Sequence, residues 1–191
     1  LLSLAIWSFL SLTFCSNDSP NFSIAILDAP TRGQAETVYK GLKTSHFEID
    51  EGITIFNIDT FRPGFTHPDS FCLDTVDGYL ETFIGEGDNW SNILPSSEGD
   101  YKVELTAEKK GISEYCCTGL YYWSSAYTFM RLFESYKTKN LTDLEGGEFY
   151  IAPMYNDLIK EGGDVRFSVI PSSQVIFCGV PSEYIDFLRR G

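Results

Sequence analysis

The sequence predicts an α/β fold in which a mixed, mainly parallel sheet is flanked by helices. Apolar runs with the length of strands alternate along the chain with amphipathic stretches of helical length. Near the N-terminal end, two such runs enclose a loop and a helix, which is the arrangement that builds parallel sheets. The 191 residues, 43% of them hydrophobic, suit a single domain over residues 1–191 with a sizeable core.

The first strand–loop–helix–strand unit lies between residues 22 and 58. An apolar strand at 22–28 precedes a loop at 29–33, a helix at 34–42 and a second apolar strand at 52–58. The second strand leads to a carboxylate, Asp59, and its pattern breaks at Arg62-Pro63-Gly64. Ligands of open α/β sheets bind at the carboxyl ends of strands, so an aspartate here suits a divalent metal. A turn aspartate is the alternative.

The later elements follow from apolar runs and from capping residues. Ser124-Ser125 suits the start of a helix, Gly162-Gly163 the end of the next one, and Pro181 the start of the last. The predicted elements are strands at 78–84, 101–106, 115–122, 165–170 and 174–177 and helices at 125–136, 151–159 and 181–188. A polar loop rich in Gly, Asp, Asn and Ser separates the first two of these strands.

The first fifteen residues form an apolar run. It resembles the apolar region of a signal peptide, but no charged segment precedes it, and it is too short to span a membrane. We predict a buried helix followed by a buried strand at 12–15. Only residues 16–21 separate that strand from the next, whereas a parallel crossover needs about 10–12 residues. The two strands are therefore not sequential parallel neighbours, or the sequence omits a piece.

Composition excludes several classes of function. A net charge of −13 argues against nonspecific binding of nucleic acid, although a few placed cations and a metal still suit one phosphate group. The five cysteines are odd in number and contain no C-x-x-C spacing, so neither a disulfide framework nor a zinc site is predicted. Unpaired thiols and an acidic composition favour the cytoplasm. No membrane span is expected.

Six short segments occur in an order typical of one enzyme family. They are Pro30–Thr37, Phe56–Asp59, Ala107–Lys110, Cys117–Tyr122, Gly147–Ala152 and Cys178–Tyr184. Together they resemble the sugar-1-phosphate nucleotidyltransferases, or nucleoside-diphosphate-sugar pyrophosphorylases, and within them the bacterial branch of capsular polysaccharide biosynthesis. The resemblance covers about residues 24–188. It implies a Rossmann-like sheet of the nucleotide-diphospho-sugar transferase type. It also implies transfer of a nucleotidyl group from an NTP to a sugar 1-phosphate or similar phosphorylated metabolite, with release of pyrophosphate.

The resemblance implies a nucleotide-binding segment formed by Arg32, Gly33 and Gln34. Gln34 matches the segment that reads the nucleobase edge, and Gly33 permits close backbone approach. Asp59 matches the aspartate that binds Mg²⁺ near the α-phosphate and serves catalysis. An ordinary helix start is the alternative interpretation of Gln34.

The resemblance also implies a sugar-binding side. Glu108 and Gly119 match residues that contact the sugar, and Lys109, the second catalytic residue, matches a lysine that meets the sugar phosphate. Glu148 matches a Gly-Glu pair near the sugar. The alternatives are an exposed charged turn for Glu108 and Lys109, a strand bulge for Gly119 and a helix-start carboxylate for Glu148.

Three departures from the family pattern affect this interpretation. The glycine-rich loop with its Arg, and a later Pro-Lys segment, do not occur in the chain, and we expect that the N-terminal segments carrying the loop are missing from it. The Asp-x-Gly of many members is replaced by Phe177-Cys178-Gly179, so a second metal ligand comes from elsewhere or is water. The loop at 88–91 suits either a sugar pocket or a packed Trp.

Three functions remain in competition at this level. The leading one is the metal-dependent nucleotidyltransferase, with an NTP and a sugar 1-phosphate or another small phosphorylated acceptor such as phosphocholine. A glycosyltransferase of the related GT-A type is weakened because Asn57 opens the Asn57-Ile58-Asp59 motif where Asp is usual. A catalytically inactive relative that binds nucleotide is the third. The oligomeric state, including a homo-oligomer, is left open.

Overall fold

The computed structural model of the protein describes residues 9–16, 19–44 and 50–190. The strands are β1 (Phe9–Ser16), β2 (Ser19–Ile26), β3 (Ile53–Phe56), β4 (Thr60–Phe61), β5 (Gly78–Ile84), β6 (Ser91–Pro95), β7 (Val103–Glu108), β8 (Tyr115–Trp123), β9 (Val165–Ile170) and β10 (Ile176–Phe177). The α-helices are α1 (Gln34–Thr44), α2 (Ala126–Tyr136), α3 (Tyr155–Lys160) and α4 (Pro181–Arg190). Within the described residues, no helix is long and apolar enough to cross a membrane.

The central sheet is built around β8, a run rich in aromatic and small apolar residues that is buried along nearly its whole length. The strand order is β7-β6-β8-β5-β9, and β3 also pairs with β8. Along β8, β5 occupies one edge, so β3 and β6 share the other: β3 pairs with Leu120–Trp123 and β6 with Cys116. The two strands diverge around Gly119, and we call the gap between them the fork.

Helices cover the sheet through one hydrophobic core. Ser125 caps α2 by accepting a 3.3 Å hydrogen bond from the Thr128 amide, and the apolar face of α2 then buries Phe129 and Phe133. This face packs against α1 and β8, while α3 packs against β7 and β9. Phe149, from the segment between α2 and α3, is fully buried in the same core. The core therefore reaches from the helices to a segment that was predicted to bind the sugar.

The predicted class, a mixed sheet flanked by helices, is confirmed, but the balance of strand directions differs from the prediction. Of the pairings in the described central sheet, β5–β9 is parallel and the others are antiparallel. β2 pairs antiparallel with β1 and not with β3, which explains the short connection noted in the sequence. The helix predicted at the start of the chain falls partly on residues 1–8, outside the described residues.

One strand lies where a loop was predicted. β6 occupies residues 91–95 within the polar stretch, pairs with β7 and reaches β8 through Asn92. Turn residues surround its short apolar centre, Ile93-Leu94, so local composition favoured a loop. Pairing with two neighbours overrides that local tendency. The missed strand places Ser91 opposite Glu108, and this pair belongs to the site described next.

Candidate active site

The predicted nucleotide-binding segment is held against Phe149 by its backbone. Phe149 donates to the carbonyl of Arg32 at 2.9 Å, and its own carbonyl accepts from the Ala35 amide at 2.8 Å. Gly33 lies between these bonds with φ 138°, and a Cβ added there would lie 2.5 Å from the Phe149 nitrogen. Glycine is therefore required at this contact, for space as well as for backbone conformation.

Arg32 extends over the ring of Phe149, with its guanidinium carbon 4.8 Å from the ring centroid. Its Nε lies 3.1 Å from a carboxylate oxygen of Glu36, and half of the Arg32 side chain stays exposed. Burial raises the pKa of Glu36, but hydrogen bonds from Arg32 and Lys40 outweigh burial, and the pKa lies below its ordinary value. Glu36 is therefore an anion that orients Arg32 at the mouth of the segment.

Gln34 meets Asn57 at the fork. The Gln34 amide donates to the side-chain oxygen of Asn57, and the Asn57 backbone amide donates to the Gly119 carbonyl at 3.2 Å. Gly119 has φ 94°, and a Cβ there would lie 2.6 Å from the Asn57 side-chain nitrogen. The missing Cβ thus makes room for Asn57. Asn57 joins two predicted site residues, yet sequence reasoning gave it no role in the site.

Asp59 lies two residues beyond Asn57 and next to Gly179. Its backbone carbonyl accepts from the Cys178 amide at 2.8 Å, and its Oδ2 lies 3.0 Å from the position of a Cβ on Gly179. Glu183 Oε2 lies 3.8 Å from that same position and accepts a 3.2 Å hydrogen bond from the Val180 amide. Two carboxylates therefore flank a space that a glycine leaves open.

The donor set beside Gly179 fits a magnesium ion of modest protein ligation. Mg²⁺ is held in proteins by one or two carboxylates and completes its shell with water and substrate phosphates. The described residues contain no group of three or more His, Cys, Asp or Glu side chains placed to hold a metal. Glu183, four residues beyond Gly179, is a candidate for the carboxylate that the Phe177-Cys178-Gly179 stretch lacks, and sequence reasoning assigned it no role.

A buried ion pair fixes the chain just after Asp59. Arg62 Nε donates to Glu81 at 2.8 Å, and the two side chains are 4% and 1% exposed. Arg62 also donates to the Gln174 carbonyl at 2.9 Å, and Thr118 donates to Glu81 at 2.9 Å. Both buried charges thus have hydrogen-bond partners. The pair links the loop after Asp59 to β5, next to Gly119. Sequence reasoning assigned Arg62 only to a turn.

Glu108 ends β7 and Lys109 follows it, but the two side chains face different surroundings. Glu108 is 4% exposed and accepts from the Ser91 hydroxyl. Burial raises the pKa of Glu108, and the nearby carboxylates of Glu145 and Glu148 raise it further, against the hydrogen bond from Ser91 and the charge of Lys109. One carboxylate oxygen is therefore already engaged inside the protein.

Lys109 is exposed and has a left-handed backbone, with φ 53°. Its ammonium donates to the Tyr150 hydroxyl at 2.6 Å and lies 4.8 Å from the centroid of that ring. The hydrogen bond to Tyr150 raises the pKa of Lys109, outweighing partial burial, and the charges of Glu108 and Glu148 raise it further. Glu148 is exposed and precedes Phe149. Lys109 is therefore a firmly protonated cation at the surface.

The Phe149-Tyr150 segment connects the two predicted sides of the site. Arg32 lies over the first ring and Lys109 over the second, while Gln34 and Gly119 meet through Asn57. Asp59 lies at a different place, beside Gly179. Trp90, the other candidate for a sugar pocket, packs against Phe83 and Phe177 with centroid distances of 5.2 and 4.5 Å. Its ring is thus part of an aromatic cluster.

Comparison with known proteins decides the family. The nucleoside-diphosphate-sugar pyrophosphorylase from Vibrio cholerae RC9 is 47% identical to the chain, with a TM-score of 0.78, over 85% of this chain and 67% of that one. The chain belongs to the nucleoside-diphosphate-sugar pyrophosphorylase family. The prediction of an enzyme of the nucleotidyltransferase class is thereby confirmed. No protein-family model matches the chain, and no curated protein matches it by sequence.

Two more distant structures share the fold of this pyrophosphorylase family. The inositol-1-phosphate CTP transferase from T. maritima is 12% identical, with a TM-score of 0.55, over 80% of this chain and 58% of that one. The CTP:phosphocholine cytidylyltransferase from Streptococcus pneumoniae is 16% identical, with a TM-score of 0.51, over 82% and 62% of the two chains. At these identities the likeness concerns the fold, which is that of nucleotidyltransferases.

Proposed function

We propose that the protein transfers a nucleotidyl group from an NTP to a sugar 1-phosphate or a similar phosphorylated metabolite and releases pyrophosphate. The observation that carries the proposal is the pair of cations on the Phe149-Tyr150 segment. In a chain of net charge −13, Arg32 and Lys109 are held at the surface over two consecutive aromatic rings. Two cations that lie over different rings suit a reaction in which two phosphorylated substrates meet.

On the nucleotide side, Arg32 faces the phosphates and Gln34 the base. The Gly33 backbone lies close to Phe149, which keeps the segment rigid at the start of α1. Gln34 uses its amide nitrogen on Asn57, which leaves its carbonyl oxygen to accept from a base.

On the acceptor side, Lys109 meets the phosphate, while Glu108, Glu148 and the Gly119 backbone line the sugar. Lys109 uses one ammonium hydrogen on Tyr150 and keeps two for phosphate oxygens. Glu108 uses one carboxylate oxygen on Ser91 and keeps the other for a hydroxyl. A shared contact with Asn57 keeps Gln34 close to Gly119, which suits substrates that must touch.

Asp59 and Glu183 would hold the magnesium ion, with water and substrate phosphates completing its shell. The ion supplies neutralisation of the negative charge that builds up around the α-phosphate. An oxygen of the acceptor phosphate attacks the α-phosphorus. The bond between the α-phosphorus and the oxygen that bridges it to the β-phosphate breaks, and pyrophosphate leaves with the electron pair. A phosphate monoester is already nucleophilic, so the residues act by positioning and by charge, and none is required as a strong base.

The biological setting follows as a further part of the proposal. A nucleotide-activated product would serve surface polysaccharide synthesis of the capsular kind. The cytoplasm is the proposed location, on the acidic composition and on free thiols at Cys72, Cys116, Cys117 and Cys178.

The test is pyrophosphate release with Mg²⁺, using each of four NTPs against sugar 1-phosphates and phosphocholine. Release that requires one NTP together with one acceptor supports the proposal and names both substrates. Asp59→Ala should abolish release, and Asp69→Ala, which changes an exposed aspartate in the loop after Arg62, is the control for loss of a carboxylate as such. Absence of release from every pair, in full-length protein that is folded and has an intact N-terminus, would contradict the proposal and favour an inactive nucleotide-binding relative or a glycosyltransferase.

A further inference from the structure

Tyr150 and Lys109 form a contact that the reaction proposed above does not by itself require. The Lys109 ammonium donates to the Tyr150 hydroxyl at 2.6 Å and also lies 4.8 Å from the ring centroid. A lysine has a flexible stem, and an exposed one ordinarily samples many rotamers. Here two interactions with one side chain restrict the ammonium to a single place.

The backbone around this contact is shaped to permit it. Lys109 has φ 53°, a conformation that non-glycine residues rarely adopt and that persists where the surroundings impose it. Gly146 lies opposite: a Cβ on it would come within 2.8 Å of the Tyr150 ring and 3.3 Å of the Lys109 stem. The absence of a side chain at Gly146 therefore leaves the room in which the pair meets.

Tyr150 itself is anchored from the nucleotide side. Phe149, its neighbour, is fully buried, and its backbone is bonded to Arg32 and Ala35 at 2.9 and 2.8 Å. Tyr150 is therefore held in place by the same Phe149 backbone hydrogen bonds that hold the nucleotide-binding segment. Its hydroxyl brings Lys109 into register with that segment.

We propose that Tyr150 is a positioning residue for Lys109, which places the acceptor phosphate relative to the nucleotide. This inference rests on the proposed function, because it assumes that Lys109 meets the acceptor. Tyr150 acts through Lys109 and does not itself touch the reacting atoms. Its loss should weaken binding of the acceptor and leave binding of the NTP unchanged.

Other charged groups near Lys109 must stay constant in a test. Glu108 and Glu148 raise the pKa of Lys109, and Glu145 is paired with Lys110 at 2.5 Å and accepts from the Glu108 amide. Replacing Tyr150 by Phe removes one oxygen and keeps the ring, so these groups are left in place. A change in Lys109 then reports the hydroxyl alone.

The first measurement is competitive chemical labelling of lysines over a range of pH in Tyr150→Phe and in wild-type protein. Only an unprotonated amine reacts, and Lys109 should react about threefold or more faster in the variant, because loss of the hydrogen bond lowers its pKa. Lys102, which is paired with Glu98 on another part of the surface, is the internal reference. Tyr127→Phe, an exposed tyrosine on α2, is the matched control and should leave Lys109 as in wild type.

The second measurement separates the Michaelis constants of the two substrates. We expect the KM for the acceptor to rise about 5- to 20-fold in Tyr150→Phe, the loss of one charge-assisted hydrogen bond to a partly exposed group, while the KM for the NTP changes less than about twofold. Equal increases in both constants, or unchanged labelling of Lys109, would overturn the inference. If no substrate pair releases pyrophosphate, the proposed function fails, and the labelling still decides whether Tyr150 holds Lys109.

Discussion

Single residues belong both to the core and to the candidate site, and Phe149 is the main example. Its ring packs against Phe133 and Tyr136 of α2, with centroid distances of 5.7 and 5.3 Å, and carries the Arg32 guanidinium at the surface. Its backbone binds the Arg32–Ala35 turn. Gly33 is the residue on which this junction depends, since its missing side chain allows the two backbones to touch.

Gly33→Ala is therefore expected to destabilise the protein by about 2–4 kcal/mol, because a Cβ would meet the Phe149 backbone in a conformation that alanine disfavours. Urea unfolding measures the change. Gly64→Ala is the matched control: Gly64 also has a positive φ of 68°, but a Cβ there would meet nothing within 4 Å, so only about 1 kcal/mol of backbone strain is expected. Equal losses in the two variants would contradict the role of the Phe149 contact.

At Glu108 we expect stability and function to oppose each other, because the buried carboxylate lowers the stability of the fold while it serves acceptor binding in the proposed function. Burial raises the pKa of Glu108 in the folded protein above its unfolded value of about 4.5. Below that pH the carboxyl group is protonated in both states, so there is no penalty. As pH rises through the unfolded pKa toward the folded one, the folded state holds the proton more strongly, and stability falls.

We expect Glu108→Gln to be more stable relative to wild type at pH 7 than at pH 4, and to bind the acceptor less well. Glutamine keeps an oxygen for the Ser91 hydroxyl and carries no charge that must be buried. Urea unfolding at both pH values gives the difference, and Glu104→Gln, an exposed glutamate on the same strand, controls for removal of a charge. A difference that does not vary with pH would disprove the argument.

At the scale of elements, the site is an opening between strands. β3 and β6 share one edge of β8 and diverge at Gly119, so the residues that follow β3 and precede β6 face each other across the fork. The Arg62–Glu81 pair then ties the loop after β4 to β5, on the opposite edge of β8. The short segment that carries Asp59 is thus fixed at both ends, by the pairing of β3 before it and by the Arg62–Glu81 pair after it.

Glu81→Gln should destabilise the protein by about 3–5 kcal/mol, because it leaves Arg62 buried without its counter-charge. Chemical denaturation measures the loss, and turnover should fall as well if the loop position matters for Asp59. Glu161→Gln, which breaks the exposed pair with Arg131, is the control and should have little effect. A small loss for Glu81→Gln would show that the buried pair is replaceable.

The sequence sufficed for elements with local signals and failed where partners were distant. The helices α2 and α4 were predicted because Ser124-Ser125 and Pro181 mark their starts, and α1 was predicted because it lies between two apolar runs. β6 was missed because its identity as a strand comes from β7 and β8. The sheet was predicted to be mainly parallel, whereas most of its described pairings are antiparallel. The reason is the same, since no local pattern in β3 indicates that its neighbour runs antiparallel.

The same distinction holds for the site. Gln34 and Gly119 could be singled out because their motifs are short and their order along the chain is characteristic. Their meeting through Asn57, the support of Lys109 by Tyr150 and the approach of Glu183 to Asp59 all depend on contacts between remote segments. The roles of these residues in binding and turnover stay predictions.

For the whole molecule, the charge of −13 affects how metal binding is measured. An acidic surface attracts cations diffusely, so specific binding must be separated from screening. At about 100 times its Kd, Mg²⁺ should raise the Tm by roughly 5–10 °C through mass action on the folded state. NaCl at the same ionic strength should have a smaller effect.

Asp59→Ala should remove most of this specific rise and abolish turnover while the fold survives, and Glu183→Gln should remove part of it. Thermal melts with and without Mg²⁺ measure both effects. Asp69→Ala, in an exposed loop, controls for the loss of one negative charge. An identical Mg²⁺ response in all of these variants would show that the ion binds only diffusely.

The burial of Phe149 has a consequence for anyone who redesigns this protein. The Phe149 ring packs in the core and also lies under the Arg32 guanidinium, so the same atoms affect the packing of the core and the position of a predicted nucleotide-binding residue. A change on the inner face of α2 that shifts Phe133 or Tyr136 moves Phe149, and with it both Arg32 and the tyrosine beside it. If Arg32 binds the nucleotide as proposed, we expect interior substitutions to change substrate preference without any change to a surface residue.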